Sequence, residues 1–245
     1  MYFELAMTLF LYGAMLRERA LEVLSSDLVQ SATCFRRAAG VYNYLAQKVL
    51  TNLNRSQEKQ PEAMCRVSSI MSLVCLADAQ AVTARKAEED GKTSGLLAKL
   101  HYGITEFLIE AIDILQVVNK ECKDISPRLL DFILSCKIIH ELKSYKYLVR
   151  GLNNDGKIGV AIGVLRRTLA NSKKVVPKEE SWRLVFKQVF NDMTVLLQKH
   201  EHENEFVWRE KVPRNEELPL PQGVKIVSII PYEPQKWERT LVFKL

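Results

Sequence analysis

The sequence has few of the residues that interrupt helices, and it lacks the motifs that mark common enzyme classes. Its 245 residues include ten glycines and eight prolines, fewer turn formers than a fold of many short strands requires. It contains no phosphate-binding P-loop, dinucleotide-binding glycine fingerprint, His-Glu-x-x-His zinc motif or Gly-x-Ser-x-Gly nucleophile motif. We therefore expect a helix-rich globular protein outside the enzyme classes that these motifs identify.

The charges and the cysteines limit the binding partners and the cellular compartment that we expect. Lysine and arginine outnumber aspartate and glutamate by 35 to 29, and the net charge is +6. This surplus favours acidic peptides or anionic membrane surfaces as partners. Basic pairs such as Arg36 and Arg37 are not interleaved with exposed-looking aromatic residues, which argues against nucleic-acid binding. The five cysteines are odd in number and show no Cys-x-x-Cys spacing, which favours a reducing, cytoplasmic compartment.

Apolar residues recur at helical spacing along most of the chain, which predicts an all-α fold of long antiparallel helices. The first helix begins in an apolar run, MYFELAMTLFLYGAML. Its Glu4 and its lack of a basic leader argue against both a signal peptide and a membrane span, so we expect a helix buried on most sides. The other predicted helices span residues 27–54, 61–90, 93–115, 127–152, 157–174 and 179–205.

The C-terminal third combines a repeat-like helix pair with an extended segment. The two helices that flank the turn at residues 153–156 resemble one tetratricopeptide unit. Beyond Pro213 the chain is rich in proline, and residues 224–230, VKIVSII, are predicted to lie extended along the helices. We accordingly divide the chain into a helical domain, residues 1–213, and an extended C-terminal segment, residues 214–245, that packs on it.

The central helix pair carries the candidate site. The second of its helices has one wide apolar stripe, which predicts a core face, made by Leu97, Leu100, Ile104, Phe107, Leu108, Ala111, Ile112 and Leu115. The edge of this stripe mixes apolar, basic and very small residues, a combination that can accept an amphipathic helix with acidic residues at its rim. We predict a helix-binding groove at Leu96, Leu100, Thr83, Lys86, Lys99 and Gly103. The alternative is that both leucines are ordinary core residues.

Three stretches in order resemble the Bro domain, the boomerang-shaped helical module of Alix and its relatives. They are LADAQAVTARKAEEDGKTSGLLAKL at residues 76–100, CFRRAAGVYNYL at residues 34–45 and EFVWREKVP at residues 205–213. The tail IIPYEP, residues 229–234, is similar to that of the short, Brox-type members. The resemblance implies a non-enzymatic adaptor that binds the C-terminal amphipathic helix of an ESCRT-III subunit. It also implies work in endosomal sorting or membrane remodelling, with peripheral contact to anionic endosomal membranes.

The chain departs from the family pattern at its start and at the groove. In the family several strands and helices precede this first helix, so the resemblance implies an N-terminally truncated or alternatively started form of the domain, which predicts exposed apolar surface. Ser25 and Val29 stand where Alix-like domains place charged residues, and Thr83 stands where relatives can carry an aromatic residue. These departures bear on partner choice. The alternative function is a general tetratricopeptide-like interaction scaffold that does not bind ESCRT proteins.

Two constellations could carry chemistry, and both are weak. Cys122 and Arg128 have the spacing of a phosphate-cradling loop, but the preceding histidine and the glycines of such a loop are missing. Burial of Cys122 within a helix would dismiss this enzymatic reading. His200 and His202 lie two residues apart, which on a helix places them on different sides, so a solvated helix end is the simpler interpretation. We predict no catalytic residues, metal, cofactor or small-molecule substrate.

Overall fold

Seven α-helices form most of the part of the chain that the computed structural model describes, residues 2–52, 60–122 and 124–235. Their bounds are α1 Tyr2–Glu22, α2 Leu28–Tyr44, α3 Cys65–Glu89, α4 Ser94–Glu121, α5 Pro127–Asn154, α6 Ile158–Ser172 and α7 Glu180–Glu203. Short π- or 3-10 turns occupy Leu45–Val49, Leu50–Asn52, Pro61–Ala63, Asn204–Trp208 and Asn215–Glu217. No strand occurs in these described ranges, and the all-α prediction is confirmed.

Local sequence signals set most helix boundaries. The Asp27 side chain caps α2 by accepting from the Gln30 amide at 2.9 Å, and Thr93 caps α4 in the same way. Gly91 and Gly156 have φ values of +66° and +73° and stand just past the ends of α3 and α5, a conformation that glycine adopts without strain.

Three predicted boundaries were wrong. Helix α4 continues six residues beyond its predicted end at residue 115, to Glu121. The proline at residue 61 begins a separate 3-10 turn, and α3 starts four residues later. The α-helical part of the second helix ends at Tyr44 and continues as π and 3-10 turns to Asn52, while residues 53 and 54 lie outside the described ranges.

Neighbouring helices pack in sequence order, with α3 between α2 and α4 and with α5 bridging to α6 and α7. The predicted stripe of α4 is buried along its whole length. The second core joins α5, α6 and α7 around Leu142, Leu165 and Met193, which confirms that the helices flanking residues 153–156 pack together. Helix α3 is long and apolar enough to cross a membrane, but 61% of the relevant window is buried, as in a core helix.

Helix α1 is far more exposed than its composition predicts. Only Ala6, Leu9, Gly13 and Ala20 are buried, whereas the large apolar side chains of Leu11 and Met15 are each 61% exposed. The prediction of a helix buried on most sides is therefore wrong, and the prediction of exposed apolar surface is confirmed. Hydrophobicity identifies side chains that favour burial, but it does not supply the neighbours that would bury them.

An extended segment, which we call the tail (residues 219–235), crosses helices α2, α3 and α4. The Val224 amide donates to the Lys99 carbonyl and the Ile230 amide to the Arg36 carbonyl, both at 3.1 Å. The tail passes so close to α2 that a Cβ atom at Gly40 would overlap the carbonyl oxygen of Ile230. The prediction that residues 224–230 dock on the helices is confirmed, while the domain division at residue 213 stays a prediction.

A polar cluster ties α3, α4 and α5 together beside the end of α3. Glu88 Oε1 lies 2.9 Å from His101 Nε2 and accepts a hydrogen bond of 2.9 Å from the Tyr147 hydroxyl. The Nδ1 atoms of His101 and His140 are 3.0 Å apart. The hydrogen bond from His101, with a further one from Tyr147, lowers the pKa of Glu88 from 4.5 to about 2 against the opposing effect of burial.

We expect Gly40→Ala to destabilise the protein by about 1–3 kcal/mol, because the tail must move to admit the methyl group. Chemical denaturation would measure the loss, and faster exchange of the Ile230 amide would locate it. Gly151→Ala in α5 is the matched control, since a Cβ there meets nothing within 4 Å and alanine favours the helix. Equal stability of the two variants would contradict the close approach.

We expect Glu88→Gln to cost about 2 kcal/mol at pH 7, because it replaces a carboxylate that accepts two hydrogen bonds. Folding lowers the pKa of Glu88, so its contribution is complete above about pH 4.5 and is lost as pH falls towards 2. The difference in Tm between the wild type and the variant should shrink over that range. Glu89→Gln, which removes only an exposed pair with Arg85, should change Tm little at any pH.

Candidate functional site

A cleft of about 400 Å³ opens between α2 and α3, and the tail closes one of its sides. Helix α2, helix α3 and the tail contribute, in that order, Leu28, Val29, Ala32, Thr33 and Arg36, then Val82, Thr83 and Lys86, then Ile226 and Val227. The α2 residues recur at helical spacing, as do those of α3, so one face of each helix is turned towards the other. We call this the α2–α3 cleft.

The inner part of the α2–α3 cleft is apolar. Val82 is buried in a cluster with Phe35 and Ala79, and Ala32 and Val227 pack against that cluster. Val29, in contrast, is 64% exposed at the opening. The Thr83 hydroxyl donates to the Ala79 carbonyl at 2.9 Å, which satisfies its polar atom within α3. The cleft therefore offers a firm apolar floor and an open apolar edge.

The charged residues at the cleft are basic. Among the described residues that line it, Arg36 and Lys86 carry charge and none is acidic. The Arg36 guanidinium is held by neutral groups, the carbonyl and the hydroxyl of Ser228, at 2.8 and 3.5 Å. Lys86 pairs with Asp90 at 3.2 Å, but both side chains are nearly half exposed, and such a pair is weak enough to exchange for another carboxylate.

The predicted residues Leu96 and Lys99 lie on α4, beyond the lining of the α2–α3 cleft. Both are exposed. The Gln80 side chain in α3 donates to the Leu100 carbonyl at 2.9 Å, so Gln80 and Leu100 face each other across the antiparallel helix pair. Thr83 and Leu96 are each about one helical turn nearer the α3–α4 connection, so they also lie roughly opposite each other on the two helices.

Leu96 is 39% exposed and is therefore accessible to a partner, while two other predicted site residues need correction. Leu100 is 1% exposed and belongs to the core, as the alternative interpretation held for it. Gly103 is covered by the tail, because a Cβ atom there would overlap the Val224 carbonyl oxygen. Its small size admits the tail, so it is not open to a partner's backbone.

Sequence reasoning missed the α2 wall and the tail as parts of the surface. The sequence marks Val29 only as a departure from the family pattern and does not single out Leu28 or Ala32 as lining residues. Ile226 and Val227 were placed in an extended segment without a position on the helices. The apolar character of residues 224–230 was the available signal, but it does not specify which helices the segment crosses.

The two weak chemical constellations gain no support. Cys122 is half-buried at the C-cap of α4, so the burial within a helix that would dismiss it is not observed, and residue 123 lies outside the described ranges. Within those ranges, no group of three or more metal-ligating side chains is assembled. His200 is buried and lies 3.4 Å from Glu203, so only His202 fits the interpretation of a solvated helix end.

Comparisons with known proteins agree on one family. The human BRO1 domain-containing protein BROX is 26% identical over 215 residues, which cover 80% of this chain and 51% of the relative. The Xenopus tropicalis protein is 27% identical over 222 residues, with the same coverage. The chain thus spans about half the length of these curated relatives.

Solved structures share the fold. A complex of the ALIX BRO1 domain with CHMP4C superposes with a TM-score of 0.83 at 22% identity, covering 95% of this chain and 64% of the other. A Bro1 domain structure that addresses endosomal targeting gives a TM-score of 0.76 at 18% identity, covering 94% and 62%. The family model of the BRO1-like domain matches residues 1–244. The chain therefore belongs to the BRO1-like domain family.

Proposed function

We propose that this chain is a non-enzymatic adaptor that binds the C-terminal amphipathic helix of an ESCRT-III subunit. The observation that carries the proposal is the α2–α3 cleft, an open apolar cleft with basic residues at its edge and with Leu96 exposed on the adjoining helix. An amphipathic helix buries one apolar face and keeps its charges at the rim of its binding site. Membership of a family of protein-interaction domains supports this class of function.

The comparisons support the identity of the partner. The ALIX BRO1 domain, which shares this fold, forms a complex with CHMP4C, and this favours an ESCRT-III subunit as the partner. The Bro1 domain structure that concerns endosomal targeting supports work at endosomes. We extend the proposal to a cytoplasmic protein held peripherally at the endosome, with the net charge of +6 favouring contact with anionic membrane.

In the proposed complex, apolar residues of the partner helix contact Leu96 and the floor of the α2–α3 cleft. Thr83 lies between these two apolar areas and is small enough to let the partner's backbone approach. Acidic residues of the partner lie near Lys86 and Lys99. Lys86 then exchanges its exposed pair with Asp90 for a carboxylate of the partner.

Val29, which stands where Alix-like domains place a charged residue, changes which partner helices the cleft prefers. Its exposed side chain lines the cleft, where a charged residue would require an oppositely charged group on the partner. An apolar side chain gains free energy from burial against a partner's apolar residue and loses it against a charged one. We therefore expect this chain to prefer helices with a broader apolar face and acidic residues.

We expect Leu96→Asp to abolish binding of a CHMP4C C-terminal peptide and to leave the fold intact. Leu96 is 39% exposed in the free chain, whereas an unpaired aspartate buried under the partner would cost roughly 3–5 kcal/mol. Fluorescence anisotropy would measure binding, and circular dichroism would report the fold. Val195→Asp, which changes an equally apolar but more exposed residue on α7, should bind like the wild type.

No saturable binding by a folded wild type would overturn the adaptor proposal and favour a general interaction scaffold. Leu100→Asp is not a useful probe of the site, because this side chain is in the core and its change should unfold the protein.

We expect the double reversal Lys86→Glu and Lys99→Glu to weaken peptide binding roughly tenfold at low salt and less at high salt, because rim charges are screened. Titrations at two ionic strengths would check this. The reversal of Lys187 and Lys199, which lie on α7, is the charge-matched control. An unchanged affinity of the Lys86 and Lys99 variant would indicate that the partner lies elsewhere on the chain.

A further inference from the structure

The Gln80 side chain joins α3 to the tail through an unusual set of hydrogen bonds. It is fully buried, and its Nε2 donates to the carbonyls of Leu100 and Val224, both at 2.9 Å. Its Oε1 accepts from the Ile226 amide at 3.0 Å. Both the amide nitrogen and the amide oxygen of the Gln80 side chain therefore bind backbone atoms of the tail.

This pattern reproduces that of a paired β-strand. In a parallel pair of strands, a residue donates to the carbonyl of the residue before the one it is paired with and accepts from the amide of the residue after it. Gln80 does the same with Val224 and Ile226, on either side of Lys225. A single side-chain amide thus takes the place of a second strand. Because the pattern repeats every two residues, it specifies which tail residue stands opposite Gln80.

The register fixed by Gln80 decides which tail side chains reach the α2–α3 cleft. Lys225 points away from it, towards Glu110 and over the Phe107 ring at 4.5 Å. Ile226 and Val227 both line the cleft, but Ile226 is 52% exposed, whereas Val227 packs against the buried cluster at its floor. A shift of one residue would bring Lys225 or Val227 to the position of Ile226.

Gln80 also lies one helical turn from Thr83, which lines the cleft. The tail is held a second time at Ile230 and Ser228, by backbone and side-chain atoms of Arg36. The Ile226 amide belongs to the first attachment, and the Ile226 side chain is 52% exposed where it lines the cleft. It is therefore a large apolar side chain that the fold holds partly in solvent at the edge of the cleft.

We propose that Gln80 is a positioning residue for the partner site, because it sets the register that places Ile226 as the third apolar wall of the α2–α3 cleft. The inference rests on the proposed function and adds the tail to the partner-contacting surface. Ile226 contacts the partner helix, and Gln80 acts only through the tail.

The test compares three variants in titrations with the CHMP4C C-terminal peptide. Ile226→Ser should weaken binding about tenfold, since it removes apolar area at the contact. Gln80→Leu, which removes both hydrogen bonds between the Gln80 side chain and the tail, should weaken binding by a similar factor. In the double variant the two losses should not multiply, because both act through the position of Ile226. Lys225→Gln is the control in the tail, and its affinity should stay that of the wild type.

Hydrogen exchange of the Ile226 amide gives a readout that needs no partner. Exchange should be faster in Gln80→Leu and unchanged in Ile226→Ser. A role in stability alone would lower the denaturation midpoint of the Gln80 variants and leave the affinity of the folded fraction unchanged.

The outcomes separate this inference from the proposed function. Binding that is lost in Leu96→Asp but unchanged in Ile226→Ser and Gln80→Leu would overturn the role of the tail and leave the adaptor proposal standing. If Gln80→Leu fails to fold, an unchanged affinity of Ile226→Ser is sufficient to overturn it. Absence of binding by the folded wild type would overturn both.

Discussion

The close passage of an extended tail across three helices is the constraint on which the candidate surface depends. Helix backbones use their amides and carbonyls within the helix, so a chain lying across them must find side chains, or the second lone pair of a helix carbonyl, for its polar groups. The tail finds them in the Gln80 side chain, in Arg36 and in the carbonyl of Lys99. Gly40 and Gly103 permit the approach, because any Cβ there would overlap a tail carbonyl. The helices and the tail therefore form one continuous surface.

The surface is mounted on rigid parts of the molecule. The end of α3 that carries Lys86 is tied to α4 and α5 by Glu88, His101 and Tyr147. The floor of the α2–α3 cleft rests on buried side chains such as Val82 and Ala79. A site held in this way needs little reordering when a helix binds, which reduces the entropic cost of association.

The α2–α3 cleft differs from the other exposed apolar residues of the chain. Helix α1 and the stretch Phe206 to Trp208 also present large apolar side chains to solvent. Helix α1 lines a cleft of its own, but the charged residues of that cleft are of both signs, Arg37 and Glu233. At the α2–α3 cleft, shape, apolar floor and basic edge coincide, and together they define one class of partner. Exposed apolar area by itself does not.

The sequence by itself determined the helices, their caps and the membership of the family, because periodicity, capping residues and glycine stops act within a few residues of one another. It also placed Leu96, Lys86 and Lys99 at the surface, since each falls outside the apolar stripe of its own helix. Only the tertiary structure decided that Leu100, which the sequence assigned both to the apolar stripe and to the groove, is core alone, that Gly103 admits the tail and that Ile226 reaches the cleft. These three depend on contacts between residues up to 146 positions apart, and a helical pattern describes which face is apolar but not which segment covers it.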